Sequence, residues 1–559
     1  MAVEKTVKSI VEDSLEKNGF SVDEVVLEHP TELEHGDYST NVALVLGKQE
    51  GRNPREVAQE IVEAISDNED IEKVEVAGPG FINFYLSRTF FPKSIKEVLE
   101  AGEQWGANNS LKGKKVMVEH TQPNPFKPFH IGHLMSNTIG ESISRVYMFT
   151  GAEVRRANYQ GDVGLHVGQA LWGLQKTGGD PSKVEDLGKA YVVGATAYKE
   201  DEQAKEEIVE YNKMVYEQAA EIKEAYEVGR KVSLEHFEEL YKMLDTKFDY
   251  YFFESESFGP GKAIVKEGLT EGVFEESEGA IVFKGEEYGL HTRVFLNKAG
   301  LTTYEAKELG LAHNKMQKWE FDVSVTTTAV EQQEYFKVVF KALSLLHPEL
   351  SKKLVHVSHG MMSLTGEKMS SRKGNVVTGE SLLRDTLALA TEKVQERDLS
   401  EEEKEVIAQA VAVAGLKYSI LKRRAGKNVV FNPDEALSFE GDSGPYLEYA
   451  HTRAVSVLEK AKRIGVEVSA QLAPEKTTVL EKMLYRFPEV VARAQVEHEP
   501  HYITTYLTQL ASEWNSWYAS GKILDESVTT PYKLAIAQAF AHTMKNGLYL
   551  LGIKAPNKM

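Results

Sequence analysis

His130 and His133 are three residues apart, with Gly132 between them, where a loop broken by Pro123, Pro125 and Pro128 gives way to a helical pattern carrying Leu134, Thr138, Ile143 and Val146 on one side. Unpaired backbone N–H groups and the helix dipole at such a junction favour a polyphosphate. Two imidazoles there can donate hydrogen bonds to phosphate oxygens, and Gly132 leaves room for a flat base or ribose to approach the backbone. A second cluster lies far downstream, between His359 and Asn375, where Lys368, Arg372 and Lys373 are interleaved with Ser370, Ser371 and glycines. A cationic, hydroxyl-rich loop of this kind suits negative charge that grows in a transition state.

The elements around the histidines must form a nucleotide-binding frame. The apolar run Val116, Met117, Val118 reads as a strand before the loop, and Glu153 to Tyr159 reads as a second strand after the helix. Strand, helix and strand without a hairpin imply a parallel pair with a right-handed crossover, the half-unit of a doubly wound sheet. The binding crevice is then expected at the carboxyl ends of the strands, where both the histidine loop and the loop Gly161-Asp162 fall. Asp162 reads either as a substrate-positioning group or as a turn residue between glycines.

A chain of 559 residues is too long for one core and should divide into about three or four domains. Cysteine is absent, which excludes disulfides and thiolate zinc sites. The formal charge of −20 argues against general adhesion to nucleic acid, yet local basic patches can still hold a particular RNA. The first twenty residues alternate charged and apolar residues at helical spacing, so neither a secretory signal nor a membrane span is expected.

Residues 1–110 read as a small α+β unit in which Asn53-Pro54 caps a helix presenting Val57, Ile61, Ala64 and Ile65, followed by extended runs around Gly78-Pro79-Gly80. A catalytic unit is expected over 111–430, with a helical insertion at about 173–280 whose last helix, marked by Tyr241, Leu244 and Phe248, continues to about Glu254. Residues 431–559 read as a helical domain, with Leu447, Ala450, Ala454, Leu458 and Ala461 on a buried face and Gly465 ending their helix. The basic stretch Leu416 to Lys427 fits a phosphate backbone or a solvated helix face. The stripe Leu507, Leu510, Trp514, Trp517 fits core packing or stacking on unpaired bases.

His130-Ile131-Gly132-His133 and Lys368-Met369-Ser370-Ser371-Arg372 resemble the HIGH and KMSKS motifs of class I aminoacyl-tRNA synthetases. Four further stretches narrow the resemblance to the arginyl-tRNA synthetase family. They are His35-Gly36-Asp37-Tyr38-Ser39-Thr40-Asn41, the run Val76 to Phe84, and the run from Ser438 to His451 together with the C-terminus from Gly547. The resemblance spans essentially the whole chain. It implies a Rossmann-type α/β catalytic core with an N-terminal α+β domain touching the corner of the tRNA and a C-terminal all-α anticodon-binding domain.

The resemblance also implies an arginine pocket made by Glu119, Asn124, Tyr304, Glu308 and Gln332. Planar guanidinium with five donors suits carboxylates and amide oxygens. Glu308 stands where most of the family has aspartate. ATP is expected on His130, Gly132, His133, Gly360, Met361, Lys368, Met369, Ser370 and Ser371, with His130, His133, Lys127 and Lys368 offsetting charge. Many arginyl enzymes carry only one of the two lysines, whereas this chain has both, and Lys368 is expected to contribute more. ATP with Mg2+, L-arginine and tRNA(Arg) are the implied substrates and partners, with no zinc or other resident metal ligands and no membrane. A cytoplasmic monomer is expected.

A class I enzyme for another amino acid would not explain the N-terminal wording, and a HIGH-containing nucleotidyltransferase would leave the N-terminal unit and helical tail without a role. A non-enzymatic RNA-binding relative predicts loss of phosphate-handling residues, and His130, His133 and Lys368 are all present.

Overall fold

The computed structural model describes residues 2–365 and 377–559. In the N-terminal unit the helix Ala2–Lys17 buries Val3, Val7, Val11 and Leu15, every fourth residue, in a core shared with a small antiparallel sheet. That sheet consists of β1 (Tyr38–Thr40), β2 (Ile71–Ala77) and β3 (Phe81–Leu86), in the order β1-β3-β2. The side chain of Asn53 accepts the backbone N–H of Arg55 and Pro54 occupies the first helical turn, which starts the helix Pro54–Glu63 with Val57 and Ile61 buried.

The wording around Asp37 and Tyr38 serves docking. The Tyr38 hydroxyl donates to Glu489 Oε1 at 2.5 Å, His29 Nε2 is 2.7 Å from Glu489 Oε2, and Asp37 faces Lys482 at 3.3 Å. Tyr485 from the helical C-terminal region completes the N-terminal core.

The central sheet contains β4 (Lys115–Glu119), β5 (Glu153–Gln160) and β6 (Tyr250–Phe253). An antiparallel sheet of β7 (Glu275–Ser277), β8 (Ala280–Phe283) and β9 (Arg293–Leu296) follows, and the chain then returns to the central sheet as β10 (Val323–Ala329) and β11 (Leu354–His359). The central order is β11-β10-β4-β5-β6 and every neighbouring pair is parallel. The strand order reverses between β4 and β10, so the binding crevice of such a sheet lies at their carboxyl ends.

The insertion is shorter than the spacing of apolar residues suggests. Its helices are Leu165–Thr177, Val184–Glu200, Glu202–Glu217 and Ala220–Met243. The last stops eleven residues before Glu254: Asp245 takes a left-handed backbone (φ 52°), and the aromatic run Tyr250–Phe253 becomes the edge strand β6. Tyr241, Leu244 and Phe248 are therefore not one helical stripe. Aromatic residues fit a half-buried pleated edge, and pairing with β5 outweighs the helical periodicity. The helices Glu254–Thr270 and Tyr304–Lys318 then cross at two glycines: a Cβ on Gly261 would stand 2.0 Å from the Ala306 carbonyl oxygen, and one on Gly310 2.2 Å from that of Ser257. This close approach brings the starts of both helices to the crevice.

β12 (Met362–Leu364) pairs in parallel with β13 (Val429–Phe431), and the other described elements from Gly379 to the end are helices. Trp514 is fully buried and stacks on Phe540 with centroids 4.4 Å apart, so it belongs to the core rather than to a base-stacking surface. The basic stretch is divided as well. Lys417 is fully buried, with Nζ donating to the Leu244 and Gly552 carbonyls at 2.7 and 2.8 Å, while Lys422 pairs with Asp442 and Arg424 with Glu499. No helix among the described residues is long and apolar enough to cross a membrane.

Candidate active site

A cavity of about 420 Å³ opens at the carboxyl ends of β4 and β10. Between Glu119, the last residue of β4, and the helix Ile131–Phe149, three non-glycine residues take left-handed backbone: Thr121 (φ 79°), Gln122 (φ 49°) and Phe126 (φ 68°). A β-branched residue at positive φ is a true outlier, and such conformations persist only where the surroundings dictate them. Here the Thr121 N–H donates to Ser136 Oγ at 2.9 Å and its hydroxyl accepts from Asn137 Nδ2 at 3.1 Å, while the Phe126 N–H donates to Ser233 Oγ at 3.0 Å. The loop is clamped between the helix that follows it and the helical insertion.

His130 and His133 cap the helix reciprocally. The His133 backbone N–H donates to His130 Nδ1 at 3.3 Å, and the His130 N–H donates to His133 Nδ1 at 3.1 Å. Both Nδ1 atoms are therefore acceptors, and the proton of each neutral ring sits on Nε2. Burial in the cavity wall, with Lys127 and His359 adding to it, lowers the pKa of His130 to about 4; burial pushes His133 well below the usual histidine range, with His130 and Lys127 acting in the same direction. The rings stack with centroids 3.3 Å apart. The result is a pair of neutral N–H donors at a helix start, suited to phosphate oxygens. Lys127 does not line the cavity. Its ammonium lies 5.3 Å from the Tyr191 ring centre, and desolvation lowers its pKa against the pull of Glu254.

The opposite wall is acidic. Glu119, Asn124, Tyr304, Glu308 and Gln332 all line the cavity together with His130, Gly132 and His133. Their states differ. Glu119 is paired with Lys315 at 2.8 Å and accepts from Gln122 Nε2 at 2.9 Å. Asn124 Oδ1 accepts the Gly161 N–H at 2.9 Å, which spends that oxygen on holding the next loop. Tyr304 stands at the rim, 65% exposed, with the Lys307 ammonium 5.2 Å from its ring centre. Gln332 ends the short turn Val330–Gln332 that follows β10. Glu308 is buried, and burial first and the neighbouring Glu119 second push its pKa up to about 8.

Three residues of this wall escape a reading of local sequence: Glu254, Lys307 and Lys315. Glu254 also lines the cavity, and its carboxylate is 2.7 Å from Lys307 Nζ. Lys315 shares a helix face with Tyr304 and Glu308, at offsets of eleven and seven residues. A lysine at that spacing from Tyr304 and Glu308 was the available signal. Glu254 gives none, because it follows β6, where the helical spacing hides the strand.

Asp162 takes a structural position. It is buried and accepts from the Ser255 N–H at 2.9 Å, the Ser255 hydroxyl at 2.8 Å and Arg230 Nε at 3.1 Å, which fixes the start of the helix Glu254–Thr270 and hence Glu254.

On the downstream side His359 lines the cavity, but Gly360 and Met361 do not. The Met361 N–H donates to Asn428 Oδ1 at 2.9 Å and its carbonyl accepts the Val429 N–H at 2.8 Å. Both of its backbone polar groups are thus engaged by the 428–429 segment. Lys368, Met369, Ser370, Ser371 and Arg372 lie outside the described residues. After them, Thr378 caps the helix Gly379–Val394, and the Gly379 N–H donates to the Phe129 carbonyl at 2.8 Å. A Cβ on Gly379 would stand 2.6 Å from the His130 carbonyl oxygen. Residues some 250 positions apart therefore meet directly at the histidine turn.

Three family models match the chain: tRNA synthetases class I (R), catalytic domain, over 94–433; arginyl tRNA synthetase N terminal domain over 2–86; and DALR anticodon binding domain over 447–559. An arginine–tRNA ligase of Halothermothrix orenii is 30% identical over 557 residues, with 98% of each chain covered. One of Alkaliphilus metalliredigens is 32% identical, covering 96% of this chain and 95% of its own. Among solved structures, the fold is similar to that of the Thermus thermophilus arginyl-tRNA synthetase, with a TM-score of 0.84, 25% identity, and 99% of this chain and 100% of that chain covered.

Proposed function

The chain belongs to the class I arginyl-tRNA synthetases, and from that premise we propose how its residues divide the reaction. The protein activates L-arginine with ATP and then charges tRNA(Arg). In the first step an oxygen of the arginine carboxylate attacks the α-phosphorus in line, the bond to the β-phosphate oxygen breaks, and pyrophosphate leaves. In the second, the terminal ribose 2′-hydroxyl of the tRNA attacks the activated carbonyl, the bond from that carbon to the phosphate oxygen breaks, and AMP leaves with the hydroxyl proton passing to its phosphate.

In this reading His130 and His133 present their Nε2 protons to the phosphates, and being neutral they gain most as charge develops. Glu119, Glu308 and Gln332 receive the guanidinium, Tyr304 closes the rim, and Asn124 steadies the loop from which Glu119 and the histidines are reached. Lys368, with Met369, Ser370 and Ser371, supplies positive charge to the departing pyrophosphate, and Lys127 has the lesser role. The backbone near Gly360 and Met361 receives adenine, which requires Asn428 to yield or share the Met361 N–H. Magnesium enters as the counter-ion of ATP; among the described residues no cluster of three or more His, Cys, Asp or Glu could hold a metal ion. The 1–110 and 431–559 units grip the tRNA corner and anticodon side, and the enzyme works as a cytoplasmic monomer.

The observation that carries this assignment is a single cavity with two oriented N–H donors on one side and buried carboxyl groups on the other. ATP–pyrophosphate exchange with each amino acid, with and without tRNA, tests it. Exchange with arginine alone is expected, and exchange with lysine but not arginine would overturn it. Single-turnover adenylate formation in Lys127→Ala and Lys368→Ala tests the lysine assignment, which a larger loss for Lys127→Ala would reverse.

A further inference from the structure

The acidic wall has an unbalanced inventory of charge. Three buried carboxyl groups converge from separate elements: Glu119 ends β4, Glu254 opens the helix Glu254–Thr270, and Glu308 lies one turn into the helix Tyr304–Lys318. Among the described residues only two ammonium groups stand among them. Lys315, 2% exposed, is 2.8 Å from Glu119, and Lys307, 6% exposed, is 2.7 Å from Glu254. Glu308 has neither a hydrogen bond nor an ion pair among the described residues, although it lines the cavity.

Among the described residues no other cation fills the gap. Arg293 reaches the cavity but donates to Glu305 at 3.0 Å, and Lys127 lies against Tyr191. The phenols facing the wall, Tyr159 and Tyr335, are held neutral by burial. Glu331 lines the cavity from its exposed rim and adds no positive charge.

An unmatched buried carboxylate is costly, and the less costly state is the neutral acid. A guanidinium changes this, because it brings one permanent positive charge and cannot surrender a proton of its own. We propose that arginine binding expels one proton from Glu308, with Lys307 and Lys315 acting as charge-setting residues that leave this carboxyl alone unmatched until the substrate arrives. The inference rests on the reading of the cavity as the arginine site. It adds a role for two lysines and makes arginine affinity depend on pH. Binding tightens by about tenfold per pH unit while Glu308 is protonated in the free enzyme, and levels off once it is ionised there. Burial and the adjacent Glu119 raise the pH at which this happens into the neutral to mildly alkaline range.

The test is calorimetric titration of the full-length enzyme with L-arginine near pH 7, in two buffers with different enthalpies of protonation. Release of about one proton per arginine is expected in the wild type, with release near zero in Glu308→Gln. If Glu308→Gln binds too weakly to measure, the wild-type affinity from about pH 6 to pH 9 decides the matter, since a pH-independent affinity would overturn the proposal. Equal heats in both buffers for the wild type, or undiminished release in Glu308→Gln, would overturn it as well. Arginine that binds without proton exchange defeats this inference alone, whereas failure of arginine to bind at all defeats the site assignment beneath it.

Discussion

At the carboxylate end of the cavity two carboxylates are matched before any ligand arrives, Glu119 with Lys315 and Glu254 with Lys307, and Glu308 stands without a partner among the described residues, whereas at the histidine end the groups that face the ligand are neutral and are oriented by the backbone. The difference follows from what each end has to do. Selecting a cation requires carboxyl groups in a place where water cannot screen them, and a charge that stands there before the ligand survives burial only when it is partnered. Assisting charge that appears only in the transition state requires dipoles fixed beforehand, and a protonated imidazole would bind the ground state equally well. The two ends also differ in construction. The acidic end is assembled from β4 and two helices crossing at glycines, while the histidine end is a single helix turn.

The contrast is broken most severely by removing one member of a matched pair. Glu119→Ala leaves Lys315 buried without its ion-pair partner and with only a 3.5 Å hydrogen bond to Thr326 Oγ1, so a loss of about 3–5 kcal/mol in unfolding free energy is expected, together with loss of arginine-dependent exchange. Denaturant unfolding and exchange assays read the two effects separately, and an unchanged unfolding midpoint would mean that Lys315 finds another partner. At the other end, His133→Ala removes an oriented donor and is expected to lower kcat for adenylate formation by about 10²–10³-fold, with the arginine KM nearly unchanged. Loss of the reciprocal cap adds about 1 kcal/mol to its structural cost. An increase in arginine KM matching the fall in kcat would show that the two ends are not separate.

Gln332→Ala sharpens the contrast with a smaller effect. An arginine KM about tenfold higher and an unaltered ATP KM are expected, corresponding to one hydrogen bond to a charged group of about 1.5 kcal/mol. The smallest expected effect is no effect. His130, with its pKa lowered to about 4, and His133, held lower than an ordinary histidine by burial, are already neutral near pH 6. The pH profile of kcat at saturating arginine should therefore show no break near 6.5 that His130→Ala or His133→Ala removes. Such a break would mean that a protonated imidazole takes part.

Local chemistry was legible where it depends on neighbours in the chain. The strand Val116–Val118, the histidine turn and the cap at Asn53 are each set within a few residues, and all appear as read. Long-range choices were not. Glu119 and Lys315 are 196 positions apart, and nothing near either one announces the other. Trp514 lies on the same kind of stripe whether it meets a base or a neighbouring helix, and only its stacking on Phe540 decides. Lys417 looked like part of a basic surface because its neighbours are basic, yet it hydrogen-bonds two carbonyls in the interior.

By itself the sequence determined the family and the parallel α/β core, because motif wording and helix capping are encoded over a few positions; of its candidate residues His130, Gly132, His133, Glu119, Asn124, Tyr304, Glu308 and Gln332 line the cavity, while Lys127, Gly360 and Met361 do not. Tertiary structure alone decided the ionic state of those residues, since a carboxyl group's charge depends on which distant lysine reaches it. It likewise decided that Tyr250–Phe253 is the edge of the sheet, because a strand exists only where another strand offers it hydrogen bonds.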